Sequence, residues 1–251
     1  MKLRPLVLAL PALGVIALVA ATSGGAGATS STDIGRQNQA IVAKGRALFL
    51  TSCVSCHGAD GRGTKQGPGL VGVGAASADF MLSTGRMPLT NPSDQAIRKP
   101  PAFDRREIDA LVAYVASLGP GPPIPHVDVK AGDLAQGGSL FRLNCAACHN
   151  SAGTGGALSY GSDAPNLRHA NTVQIAEAIR TGPGQMPVFG PDTFTKQQVN
   201  NVVRYVRYLQ NPEDRGGFSL GHLGPVPEGL VALVAGLGFL ILVSRWIEAR
   251  A

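Results

Sequence analysis

Cys53-Val54-Ser55-Cys56-His57 and Cys145-Ala146-Ala147-Cys148-His149 together use all four cysteines of this 251-residue chain. A C-x-x-C pair alone is ambiguous, because it also opens zinc sites and dithiol redox sites. Here 88 residues separate Cys56 from Cys145, far more than a zinc ribbon spans, and a histidine follows the second cysteine both times. That order is the one for covalent c-type haem attachment: each thiol adds to one vinyl group of the porphyrin, and the adjacent His57 or His149 reaches the iron. Two covalently bound haem c groups are therefore expected, one on Cys53, Cys56 and His57, the other on Cys145, Cys148 and His149.

An iron held by one histidine takes a sixth ligand, and a thioether in that position raises the reduction potential. Two of the four methionines stand in matched contexts, Gly85-Arg86-Met87-Pro88 and Gly184-Gln185-Met186-Pro187, 30 and 37 residues after His57 and His149. Glycine and proline shape a tight loop that presents a side chain to a flat ring without crowding it. Met87 and Met186 are thus the expected second axial ligands. Met81, in Phe80-Met81-Leu82, has no counterpart in the second half and reads as core filler. An iron ligated on both faces leaves no vacant position for substrate, which points to electron relay over oxygen or peroxide chemistry.

The repeat extends beyond these motifs. Gly45, Leu48 and Phe49 precede Cys53 at the offsets at which Gly137, Leu140 and Phe141 precede Cys145. Downstream, Ile108, Leu111, Val112, Tyr114, Val115 and Leu118 align without gaps to Val199, Val202, Val203, Tyr205, Val206 and Leu209. Both sets follow the spacing of one apolar helix stripe. Each half reads as helix, haem loop, methionine loop, helix. These offsets, the G-x-M-P loop and a closing helix such as Leu111-Val112-Ala113-Tyr114-Val115 resemble the class I cytochrome c fold. The resemblance implies that the first and last helices cross at the glycine with the phenylalanine and tyrosine beside them. It also implies that a proline carbonyl, from Pro68 and from Pro165, binds the far nitrogen of the histidine and fixes its ring. Each half has fewer than 100 residues and is rich in glycine and proline, so the porphyrin is expected to supply much of its core.

The second half has seven more residues between histidine and methionine; Ser151 to Tyr160 is glycine-rich and reads as slack, a contact loop being the alternative. Between the halves, Gly119-Pro120-Gly121-Pro122-Pro123-Ile124-Pro125 cannot continue a helix and is expected to be extended and stiff.

Both ends are apolar. Lys2 and Arg4 precede 16 uncharged residues, Leu6 to Ala21, which as a helix span only about 24 Å. This reads as an export signal cleaved near Ala21 or Ala28, with an uncleaved anchor as the alternative. Gly229 to Ile247 offers 19 residues, about 28 Å of helix, with Trp246 at the interface and Arg245 and Arg250 favouring a cytoplasmic end. The fold class is therefore mainly α: two tandem class I cytochrome c domains plus a C-terminal transmembrane helix. The expected division is an export signal or anchor at 1–28, domains at 38–119 and 130–211, linkers at 120–129 and 212–228, and a membrane helix at 229–247. Charged residues make up 15% of the chain and the net charge is +6, without a basic run or stacking platform, so nucleic acid is not a partner. His126, His169 and His222 carry no assigned role, and only Lys65 and Arg86 lie near a haem loop as candidate contact residues.

Two cytochrome c domains followed by one anchor resemble the dihaem cytochrome c subunit of the actinobacterial quinol:cytochrome c reductase, the cytochrome bcc complex. Ser52-Cys53-Val54-Ser55-Cys56-His57-Gly58, Ser83-Thr84-Gly85-Arg86-Met87-Pro88, Leu140-Phe141-Arg142-Leu143-Asn144-Cys145 and Gly224-Pro225-Val226-Pro227-Glu228-Gly229 carry the likeness. It implies an extracytoplasmic electron relay from a Rieske iron-sulfur protein to a terminal cytochrome c oxidase, with a cytochrome b subunit alongside and quinol chemistry left to partners. The alternative is a dihaem acceptor subunit of a membrane dehydrogenase or of a haem-copper oxidase. A dihaem peroxidase or a ligand-sensing module would need an open iron, against which the two methionine loops count.

Overall fold

Helix ends and close helix crossings decide this architecture. A computed structural model describes residues 31–213 and 225–250. The N-terminal apolar segment, most of the second linker and His222 lie outside them. Residues 1–40 and 41–251 form separate units; of the first, only the start of helix α1 is described.

The first half contains α1 (Ser31–Ser52), the short α2 (Val54–His57), α3 (Gly74–Ser83) and α4 (Arg105–Ser117). The second contains α5 (Leu134–Asn144), the short α6 (Ala146–His149), a two-stranded hairpin of β1 (Gly156–Ala157) and β2 (Asp163–Ala164), α7 (Thr172–Thr181) and α8 (Lys196–Gln210). Strands β1 and β2 are antiparallel, with Gly156 opposite Ala164. The expected mainly α class holds.

Three helices start with reciprocal caps that are visible as a pattern in the sequence. Asp104 accepts from Glu107 N at 2.9 Å while Glu107 accepts from Asp104 N at 3.0 Å. Asn171 with Gln174 and Thr195 with Gln198 do the same for α7 and α8. The apolar stripes of α4 and α8 then bury Ile108, Leu111, Val112, Tyr114 and Val115 in one half and Val199, Val202, Val203 and Val206 in the other.

Those stripes meet the opening helices at glycine. A Cβ on Gly45 would overlap the carbonyl oxygen of Ala110, and one on Gly137 would overlap that of Asn201. Nothing larger than glycine lets two backbones come so close, which offsets its cost of about 1 kcal/mol in a helix. Phe49 packs on Tyr114 with centroids 5.1 Å apart, and Phe141 on Tyr205 at 5.4 Å. The duplication seen in the sequence is thus a duplication of the packing.

The stiff connector is not a free spacer. Ala76 N donates to Pro122 O at 3.1 Å, and Gly121 lies against Gly72 and Gly74. Further on, Asp128 N donates to the buried Asn200 at 3.1 Å, and Val127 and Val129 pack on the second core. Finally α9 (Pro225–Glu248) is long and apolar enough to cross a membrane, and none of its apolar window is buried. The Arg250 guanidinium lies 4.4 Å from the Trp246 ring near its end.

Candidate haem sites

In both halves the helix carrying the crossing glycine ends at the first cysteine of the motif. Cys53 N bonds to Phe49 O, and Cys145 N to Phe141 O, both at 2.8 Å. One tight turn follows, with His57 N on Cys53 O at 3.0 Å and His149 N on Cys145 O at 2.9 Å. Two thiols and an imidazole are therefore presented from a single turn. No disulfide joins any of the four cysteines. Burial, reinforced by the neighbouring thiol, pushes Cys53 and Cys145 up to about 11.

The turn after each histidine needs glycine. Gly63 N donates to His57 O at 2.8 Å and Gly155 N to His149 O at 2.9 Å, and both residues have positive φ. A Cβ at either would press on the backbone of the proline segment, Pro68 or Pro165. That close approach sets the next bond: His57 Nδ1 donates to Pro68 O at 2.8 Å, and His149 Nδ1 to Pro165 O at 3.0 Å. A carbonyl oxygen only accepts, so the proton sits on Nδ1 and Nε2 keeps its lone pair for a metal. Burial lowers the His149 pKa, the proline bond partly opposing it, and the neutral ring is the form that can ligate.

Met87 and Met186 are half-buried and pack against the first and second apolar cores. Met87 N donates to Met81 O at 3.1 Å. Met81 itself is only half-buried and lies outside the core cluster, so its backbone rather than its side chain serves the loop, contrary to the expectation of core filler. The second loop is braced differently: Arg180 Nη1 reaches the carbonyls of Phe189 at 2.9 Å and Phe194 at 2.7 Å, while Gln185 donates to Ser162 at 3.2 Å.

These residues fit a covalent haem twice over: a free thiol pair on one turn, an imidazole with a bare Nε2, and a half-buried thioether. Among the described residues no group of three or more His, Cys, Asp or Glu could hold a metal ion, so the two cysteine pairs do not combine into a zinc site.

The extra residues of the second half are not slack. The histidine-to-proline separation is 16 there against 11 in the first half, and the added chain forms the β1–β2 hairpin. Gln95 of the first half donates to Asp163 O at 2.8 Å and accepts from Asp163 N at 3.1 Å, fastening the hairpin across the seam. Helices α3 and α7 meet along the same seam, where Gln174 accepts from Arg98 at 3.1 Å and donates to Ser83 at 3.2 Å. The seam also contains Asp79 and Glu177, buried and acidic. The available signal was an acid inside the apolar run Ile175-Ala176-Glu177-Ala178-Ile179.

Comparison with known proteins agrees with this duplication. A cytochrome c family profile matches residues 42–119, and one described as cytochrome c oxidase, cbb3-type, subunit III matches residues 132–206. The cytochrome bc1 complex cytochrome c subunit of Mycobacterium leprae is 42% identical over 95% of this chain and 88% of its own length. The subunit of the same name from Corynebacterium diphtheriae is 37% identical over 86% of this chain and 83% of its own. A cbb3-type cytochrome c oxidase subunit CcoP from Azospirillum is 33% identical over 59% of this chain. With such identity sustained over nearly its whole length, the chain belongs to the family of actinobacterial cytochrome bc1 complex cytochrome c subunits.

Proposed function

We propose that this chain is the membrane-anchored electron-relay subunit of a quinol:cytochrome c reductase. It takes electrons from a Rieske iron-sulfur protein and delivers them through two covalent haem c groups to a terminal cytochrome c oxidase. Cys53 and Cys56 would tether one group and Cys145 and Cys148 the other, and His57 with Met87, and His149 with Met186, would hold the two irons. When bound, each haem supplies an iron that cycles between Fe(III) and Fe(II). The chain's own residues do the rest. Pro68 and Pro165 hold each imidazole in the tautomer that leaves Nε2 free. Glycine crossings and aromatic pairs hold the cysteine turns rigid against the closing helices, limiting rearrangement on electron transfer.

The observation that carries this reading is the doubled histidine-proline bond, one in each half of a chain that ends in a candidate membrane helix. Arg245 and Arg250 support a cytoplasmic C-terminal end, with both haem domains extracytoplasmic. The names of the relatives, subunits of a cytochrome bc1 complex, support the presence of partner subunits; on the resemblance these are cytochrome b and Rieske subunits, to which quinol oxidation belongs. Purification of the membrane complex through a tag on this chain is expected to recover cytochrome b, Rieske and oxidase subunits in mild detergent. Recovery of the chain alone would overturn the proposal. The CcoP likeness favours one second reading, an acceptor subunit within a haem-copper oxidase. Recovery with oxidase subunits but no cytochrome b would select it.

A further inference from the structure

We infer that Asp79 and Glu177 form a shared-proton site, in which one proton held between two carboxyls clamps the first haem domain to the second. Asp79 lies on α3 and Glu177 on α7, the two helices that meet across the seam. Glu177 is fully buried and Asp79 is 5% exposed. Neither oxygen of Glu177 has a hydrogen-bond partner, and the Gln174–Ser83 bond, one turn along the same two helices, sets its carboxyl against Asp79, whose charge acts on it. Two buried acids so placed cannot both carry charge; a proton on one converts repulsion into an O–H···O hydrogen bond.

The surrounding charges assign the proton. From α4, an Arg105 nitrogen lies 2.7 Å from Asp79 Oδ1, and it shares itself with Asp109 at 2.5 Å. Asp79 is therefore the carboxylate that faces a cation, and Glu177 the acid that donates. Burial first, then the charge and hydrogen bond of Asp79, push Glu177 up to about 9, with Arg105 opposing. Of the other arginines near the seam, Arg98 bonds to Gln174, Arg180 serves the carbonyls of Phe189 and Phe194, and the buried Arg86 guanidinium stacks 4.7 Å over the Phe80 ring with its Nη1 lacking a hydrogen-bond partner.

The sign of the pH dependence follows. With the domains apart, Glu177 faces water and titrates near its ordinary 4.5; in the closed seam it titrates near 9. Between those values the closed form holds one more proton than the open form, so closure is strongest below the lower value and weakens as pH rises through the upper. Because α3 and α7 run into the Met87 and Met186 loops, the proton lies between the elements that carry both.

The test uses the full-length haem-loaded protein in detergent, by infrared difference spectroscopy and calorimetry from about pH 6 to about pH 10. The wild type is expected to show the carbonyl stretch of a protonated carboxylic acid at neutral pH, fading as pH passes about 9. Glu177→Gln should lack that band and should lose stability less steeply with rising pH. Should that variant fail to fold, Asp79→Asn is expected to keep the band and move its disappearance to lower pH, since the Asp79 charge helps to raise Glu177. A neutral-pH band unchanged by Glu177→Gln, or an Asp79→Asn transition at the wild-type pH, would overturn the shared proton. None of these readouts depends on which redox partners the chain has.

Discussion

Each histidine ring has two nitrogens, and the chain spends one to secure the other. Donation from His57 Nδ1 to Pro68 O and from His149 Nδ1 to Pro165 O fixes tautomer and ring angle with backbone atoms that no side-chain substitution removes directly. The proposed thioether ligands, Met87 and Met186, have no such insurance, since a thioether makes only weak hydrogen bonds and is placed by packing and loop shape alone. Replacing Met87→His or Met186→His is expected to leave the haem attached, because the cysteines are untouched, while lowering the potential of that site. Redox titration of each variant reads this directly, and an unmoved midpoint in both would refute the assigned ligands. At this scale the cysteine turns and the histidine–proline bonds were legible in the sequence. Cysteine, histidine, proline and methionine stand at short, repeated intervals, and residues spaced along one turn or one loop keep that relation in three dimensions.

At the scale of elements, what mattered was where helices start and how closely they cross. The three capping pairs were legible in principle, since Asp104 and Glu107, Asn171 and Gln174, and Thr195 and Gln198 each stand three residues apart. The glycine crossings were legible through the repeat, which matched Gly45 to Gly137 before any coordinate did. Substituting either by alanine forces a methyl group into a partner carbonyl, so Gly45→Ala and Gly137→Ala are each expected to destabilise by about 1–3 kcal/mol. Thermal unfolding of the haem-loaded variants measures this, with an unchanged midpoint as the contrary result. The β1–β2 hairpin was not legible. Its strands are two residues long, too short for any alternation to register, and its segment reads as glycine-rich slack until its hydrogen bonds are seen.

At the scale of the whole molecule, the seam between the halves was hidden from the sequence. Its hydrogen bonds from Gln95, Arg98 and Gln174 join residues 68 to 91 positions apart, and polar pairs such as Gln174 and Ser83 carry no local signature. The candidate membrane helix was plain, because length and apolarity are read directly from the sequence. A chain truncated after Glu213 is expected to leave washed membranes with both haems attached, as measured by haem absorbance in the soluble fraction; retention would instead put a second anchor in residues 1–28. One bond in the seam bears on how this family can drift. Gln95 grips Asp163 only through its main-chain N–H and C=O, so the aspartate itself is dispensable to that contact. Any residue but proline at position 163 keeps the main-chain groups of this contact, whereas position 95 must keep an amide of that reach. Tolerance to mutation across the seam is therefore lopsided, concentrated on one partner of the pair.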